Sequence, residues 1–148
     1  MKKWAQAAGI LAWALCSATA LTEEPTKPTK ISASQAAGPI FAAPGAHQDK
    51  GAHQDNRFGP MTNVKLLNSK DKRFTAGVFK ASAGDFPIDA YPQDEFCYFL
   101  SGSVKLTSAD GSVLELEAGD AVVIPKGWKG RWTTPGYSKY YTVYDTGK

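Results

Sequence analysis

The sequence predicts an all-β protein whose working part is one small barrel. From Val64 onward, short runs rich in β-branched and aromatic residues are broken by Gly, Pro and Asp, and no stretch repeats at helical period. Asp110-Gly111 sits between two alternating segments, Val104-Lys105-Leu106-Thr107 and Val113-Leu114-Glu115-Leu116, where a tight antiparallel reversal needs positive φ. The chain has 148 residues, of which roughly the first 60 lack hydrophobic periodicity, so there is room for one domain of ordinary size.

Taken from the N-terminus, residues 1–20 read as a secretory signal. Lys2 and Lys3 form a positive n-region, Trp4 to Leu15 an apolar stretch, and Ala18-Thr19-Ala20 a small-x-small cleavage site, which puts the mature start near Leu21. About a dozen apolar residues are short of the roughly 20 needed to span a bilayer, so no stable membrane span is expected after cleavage. The expected destination is the periplasm or the exterior.

Residues 21–60 are rich in Ala, Pro, Thr, Gly and Gln and read as a flexible linker. Within them, Gly45-Ala46-His47-Gln48-Asp49-Lys50 is echoed by Gly51-Ala52-His53-Gln54-Asp55-Asn56. Two copies without a hydrophobic face cannot stack as a solenoid, and the pair reads as a duplication in the linker. The 2 histidines of the chain, His47 and His53, both lie here.

The barrel domain is expected over 61–148. Its strands are read as Val64–Asn68, Phe74–Lys80, Glu95–Leu100, Val104–Thr107, Val113–Glu117, Ala121–Ile124, Trp128–Thr134 and Lys139–Tyr144. Ala118-Gly119-Asp120 drops the chain into the apolar Ala121-Val122-Val123-Ile124, and Pro125-Lys126-Gly127 ends that strand, since Pro cannot donate to a central ladder. Such a set suits a closed barrel or a sandwich.

Removal of the signal takes two lysines and no acids, so the formal charge falls from +3 to +1. The mildly basic stretch from Lys65 to Lys80 is interrupted by Asp71, and near-balance without a Lys/Arg cluster argues against nucleic acid as a partner. Cys16 leaves with the signal, so Cys97 has no partner within the chain for a disulfide.

Two blocks of the sequence resemble the cupin motifs: Glu95 with Gly102 six residues after it, and Gly119-Asp120-Ala121-Val122-Val123-Ile124-Pro125-Lys126-Gly127. Asp94-Glu95-Phe96-Cys97-Tyr98, with Lys126-Gly127-Trp128-Lys129-Gly130-Arg131-Trp132 and Lys139-Tyr140-Tyr141, looks more narrowly like the ureidoglycine aminohydrolase-like group, which is similar to the ethanolamine-utilisation cupins. The resemblance covers about residues 60 to 145 and implies a double-stranded β-helix, the cupin jelly-roll barrel. It also implies a metal held by imidazoles and the Glu. Here every histidine position of the pattern is empty: the first pair falls on Asp89 and Tyr91 or on Ile88 and Ala90, and the third on Gly130. One Glu, with or without an Asp, prefers hard oxygen-bound ions and holds them loosely, so neither a His-ligated metal nor any other cofactor is expected.

Alternation along Glu95-Phe96-Cys97-Tyr98-Phe99-Leu100 puts Glu95, Cys97 and Phe99 on one face, and the resemblance implies that this face looks inward. Gly130 and Trp132 share the inward face of their strand, and Tyr91 enters beside Glu95. Asp89, Tyr91, Glu95, Cys97 and Trp132 are therefore the candidate pocket. An aromatic cavity with one or two carboxylates suits a small polar molecule bearing cationic or hydroxyl groups; the competing reading has the same aromatics filling a core around a satisfied buried acid. Beside the carboxylate of Glu95, Cys97 reads as an inert thiol.

Three readings of function stand side by side. One is an exported cupin that binds a small polar metabolite. The second is a C–N hydrolase resembling the ureidoglycine aminohydrolases, with Glu95 as general base. The third is a dimerising module, since the resemblance implies barrels paired through edge strands into a homodimer.

Overall fold

A computed structural model describes residues 27–49 and 59–147 of the chain. The signal expected over 1–20 and His53 lie outside the described residues. Helix α1 (Ala33–Ala36) and a 3-10 turn (Pro39–Ala42) are followed by seven strands: β1 (His47–Asp49), β2 (Met61–Asn68), β3 (Phe74–Ile88), β4 (Asp94–Ser108), β5 (Val113–Glu117), β6 (Ala121–Ile124) and β7 (Gly130–Tyr144). All pairings are antiparallel, in the order β1-β2-β3-β7-β4-β5, with β6 on the remaining part of β4. No helix among the described residues is long and apolar enough to cross a membrane.

The expected strand set is corrected in one respect. Glu95–Leu100 and Val104–Thr107 are halves of β4, and the segment from Gly130 to Tyr144 is one strand that absorbs the two expected there, with Trp128 left in the preceding turn. Through Ser101-Gly102-Ser103 and Pro135-Gly136 the β4–β7 ladder continues with register shifts between Phe99 and Ser101 and between Ser103 and Lys105. Each shift inserts an odd residue and exchanges the two faces of the strand. On β7 the cavity is lined by Trp132 and Thr134 before the shift and by Tyr137, Lys139 and Tyr141 after it. On β3 the parity changes between Ala81 and Gly84, directly across from that point. Matched bulges on neighbouring strands bend the sheet at one level, and each long strand thereby serves two walls of the barrel.

Gly102 shows what that bend demands. Its φ is +75°, and a Cβ placed there would lie 1.9 Å from the Gly136 carbonyl oxygen, so two backbones touch where a side chain has no room. The Asp110-Gly111 hairpin closes β4 on β5 as the sequence requires, with Gly111 at φ +86° and Asp110 Oδ1 accepting from Ser112 N at 2.9 Å.

Two apolar clusters hold the fold. Inside the barrel, Phe86, Cys97, Phe99, Leu106, Ile124 and Trp132 are buried together. On the outer face, Val64 and Val78 sit opposite one another on β2 and β3 and are covered by Phe41 from the 3-10 turn, with Ile31, Ile40 and Tyr140 around them. The linker expected over 21–60 is thus structured over much of its described part: α1 carries a Ser32/Gln35 capping box, and β1 pairs with β2 from His47 to Asp49. Composition alone concealed this, because a few anchors (Ile31, Ile40, Phe41) suffice when a strand face is already there to receive them.

Candidate functional site

Between the walls lies a cavity of about 650 Å³, bordered by Phe79, Glu95, Trp132, Tyr137, Lys139 and Tyr141 among others. Its side chains come from strands that alternate in and out. Along β4, burial alternates with a period of two, and Glu95, Cys97 and Phe99 are buried while Phe96 and Tyr98 are exposed. Glu95 is 7 % exposed and faces the cavity.

The feature that organises the site is Lys139. It stands opposite Phe99 in the β4–β7 register, and its stem runs along the inward face past Cys97 to Glu95. Nζ donates to Glu95 Oε1 at 2.8 Å and approaches Cys97 Sγ at 3.2 Å. The rings of Trp132, Phe79 and Tyr137 surround the ammonium at 5.4, 5.6 and 5.8 Å from their centroids, which is cation–π distance. The other carboxylate oxygen of Glu95, Oε2, accepts from the Tyr91 hydroxyl. A buried carboxylate with an ammonium on one oxygen and a phenol on the other has its charge matched and each oxygen hydrogen-bonded.

Protonation follows from that neighbourhood. Burial alone would disfavour the Lys139 ammonium, but the surrounding Tyr137, Glu95, Tyr91 and Cys97 outweigh it and hold the amine protonated well above its ordinary range. Burial pushes the Cys97 thiol up to about 12, against the opposing pull of Lys139. Burial likewise raises Tyr137 to about 12 and Tyr91 above the usual phenol range. At neutral pH Lys139 is therefore a cation beside a neutral thiol and neutral phenols.

Of the five residues read from sequence, the structure brings four together. Tyr91 and Trp132 stack at 6.4 Å with an interplanar angle of 8°, and both border the cavity with Glu95. Cys97 is fully buried beneath it, against Lys139. Asp89 is not part of the site. It is exposed in the turn after β3, in a separate shallow depression with Lys129 and Arg131, because the strand ends at Ile88 and the chain turns outward there. Trp128 is a packing residue, its ring against Tyr91 and its Nε1 donating to Ser108 Oγ at 3.2 Å.

Sequence reading passes over Lys139, and with it Tyr141, whose hydroxyl donates to Asn63 Oδ1 at 2.8 Å. A signal was present: Tyr137, Lys139, Tyr141 and Val143 alternate as an apolar face containing one lysine. The bulge of β7 against β4 at Pro135-Gly136 hides it, since counting on from Trp132 without the extra residue sends Lys139 outward.

The residues present do not fit an imidazole-held metal. His47 is exposed on β1, paired with Asn63, and no group of three or more His, Cys, Asp or Glu side chains that could hold a metal ion occurs among the described residues. Glu95, the remaining carboxylate of such a donor set, already has an ammonium at 2.8 Å.

Comparison with known proteins gives a consistent result. The family model described as EutQ-like cupin domain matches residues 68–141, half of the chain. No curated protein sequence matches significantly. Among solved structures, the EutQ protein of Clostridium difficile is 21 % identical, with 68 % of this chain and 76 % of that one covered at a TM-score of 0.51. A Salmonella typhimurium chain assigned to ethanolamine utilization protein Q is 22 % identical, covering 69 % and 80 % at 0.54. A Rhizobium leguminosarum protein of unknown function is 18 % identical, covering 80 % and 98 % at 0.52.

Proposed function

This chain belongs to the EutQ-like cupin domain family, and from that premise we propose that it is an exported binding protein whose barrel holds a small polar metabolite without a His-ligated metal. The observation that carries the reading is the cavity of about 650 Å³, with aromatic walls and the buried Glu95–Lys139 pair at its side. Volume and apolar lining suit a small molecule, and the couple supplies orientation. At identities of 21 % and 22 %, likeness to the ethanolamine utilization proteins speaks for the fold alone, so no role in ethanolamine use is proposed.

Lys139 changes the kind of ligand that suits the site. Glu95 is already paired with the ammonium, so a cationic group entering on the Lys139 side finds no free carboxylate to receive it. Groups that accept hydrogen bonds are favoured instead. A C–N hydrolase using Glu95 as base is less well supported, because both carboxylate oxygens are committed to Lys139 and Tyr91 and one of those bonds must break before Glu95 can take a substrate proton. Glu95-dependent hydrolysis of a ureidoglycine-like amine would restore that reading.

A thermal-shift screen of polar metabolites tests the proposal. A ligand of the folded state raises the melting temperature with its concentration over Kd. The expected result is at least one concentration-dependent rise that is diminished in Trp132→Phe; a fully folded protein that responds to no member of a broad panel overturns the reading. Export rests on Lys2, Lys3, the Trp4 to Leu15 stretch and Ala18-Thr19-Ala20. The mass of the protein from fractionated cells should correspond to a start near Leu21, and an uncleaved chain confined to the cytoplasm would count against export.

A further inference from the structure

We infer that the barrel takes an uncharged planar carbonyl compound, its oxygen accepting from Trp132 Nε1 and its ring lying against the aromatic wall. The inference rests on the small-molecule reading above and names the ligand class. Trp132 is 2 % exposed, borders the cavity, and its buried Nε1 has no hydrogen-bond partner among the described residues. A buried donor left without an acceptor is costly, and in a cavity wall it marks the place of an absent acceptor.

A second donor stands beside it. An ammonium has three N–H groups. Those of Lys139 reach Glu95 Oε1 at 2.8 Å and the weak acceptor Cys97 Sγ at 3.2 Å, which leaves one over. Nζ is 5.4 Å from the centroid of the Trp132 ring. The ammonium stands over the ring face while the indole N–H lies in the ring plane, so the two donors call for separate acceptor atoms and together favour a ligand that accepts rather than donates.

Charge selects within the acceptors. A cation would face the ammonium directly. An anion would gain from Lys139 but face Glu95 across it, and would have to leave water for a pocket whose two buried charges already cancel. A neutral carbonyl meets the indole donor and adds no charge. Planarity follows from the wall: Phe86, Trp132 and Tyr91 form a run of nearly parallel rings, with interplanar angles of 9° and 8° at centroid separations of 6.4 Å.

The test uses the intact protein and four probes of one shape: benzamide, benzoate, benzylamine and benzene. Melting temperature is measured against probe concentration, together with the indole N–H resonance of Trp132, identified by its loss in Trp132→Phe. Benzamide is expected to bind about tenfold more tightly than the other three and to move that resonance. Trp132→Phe should cost benzamide about tenfold and leave benzene unchanged. The comparison of the four probes on wild type keeps the test valid where Trp132→Phe folds poorly. Benzylamine or benzoate equal to benzamide, or benzamide no tighter than benzene, overturns the carbonyl assignment and leaves the pocket intact. Failure of all four, benzene included, removes the pocket reading as well.

Discussion

Lys139 Nζ and Glu95 Oε1 lie 2.8 Å apart across neighbouring strands, with side chains only 6 % and 7 % exposed. Two charges so deeply buried depend on one another, because the attraction between them offsets the loss of hydration only while both are present. Lys139→Met is therefore expected to lower stability by about 3–5 kcal/mol, the cost of an unpaired buried carboxylate. The double variant Lys139→Met/Glu95→Gln should recover a large part of that loss. Urea denaturation of the two single variants and the double variant measures the coupling; losses that simply add would show that the pair does not act as a unit.

Alkaline pH is expected to destabilise the fold, beginning near pH 9. Burial holds the Cys97 thiol at about 12 against an ordinary 9.0, and the Tyr137 phenol at about 12 against 10.0. Between those limits the unfolded chain has released protons that the folded chain retains, so it binds fewer, and stability falls as pH rises. Lys139, also raised, adds stability that is complete below 10.5 and is lost as pH climbs through its higher folded value. Denaturation midpoints from pH 7 to pH 11 check the slope, and Cys97→Ala should flatten its first part. Stability constant or rising to pH 11 would contradict the burial argument.

Native Cys97 should resist alkylation. A thiol at about 12, fully buried, presents almost no thiolate at pH 8. Iodoacetamide should label the urea-unfolded chain far faster than the native one, followed by the mass of the intact protein. Comparable rates would place the thiol within reach of solvent.

The close approach of Gly102 to Gly136 makes a prediction about the bend. Gly102→Ala puts a methyl 1.9 Å from a carbonyl oxygen at φ +75°. A loss of about 3 kcal/mol or more is expected, since both backbone strain and overpacking act there. Gly111→Ala, at positive φ with nothing within 4 Å of its added Cβ, should cost less, on the order of 1 kcal/mol. Thermal denaturation of the pair separates contact from conformation.

Phe41 anchors the N-terminal segment on the outer face over Val64 and Val78. Phe41→Ala is expected to cost about 3 kcal/mol and to free the segment from the sheet. Limited proteolysis should then cut within 27–49 while the barrel stays whole. A digestion pattern unchanged from wild type would mean that β1 alone holds the segment.

Much of this protein was determined locally. Alternation along Glu95-Phe96-Cys97-Tyr98-Phe99 put the acid and the thiol on one face, which the cupin resemblance implied to be the inner one, and Asp110-Gly111 located a hairpin, because period-two alternation and turn conformation depend on residues close in sequence. The same local record identified Tyr91 and Trp132, and the missing histidines argued against an imidazole-held metal. Tertiary structure decided the rest. Which face of β7 looks inward depends on an odd residue accommodated against β4, so Lys139 enters the site through a bulge that no local pattern marks. Asp89 leaves it because a strand ends one residue earlier, and the segment around Phe41 is ordered because a distant strand pair offers it a surface. The pairing of Lys139 with Glu95, from positions 44 apart in the chain, is a property of strand register, and register is set by the whole sheet.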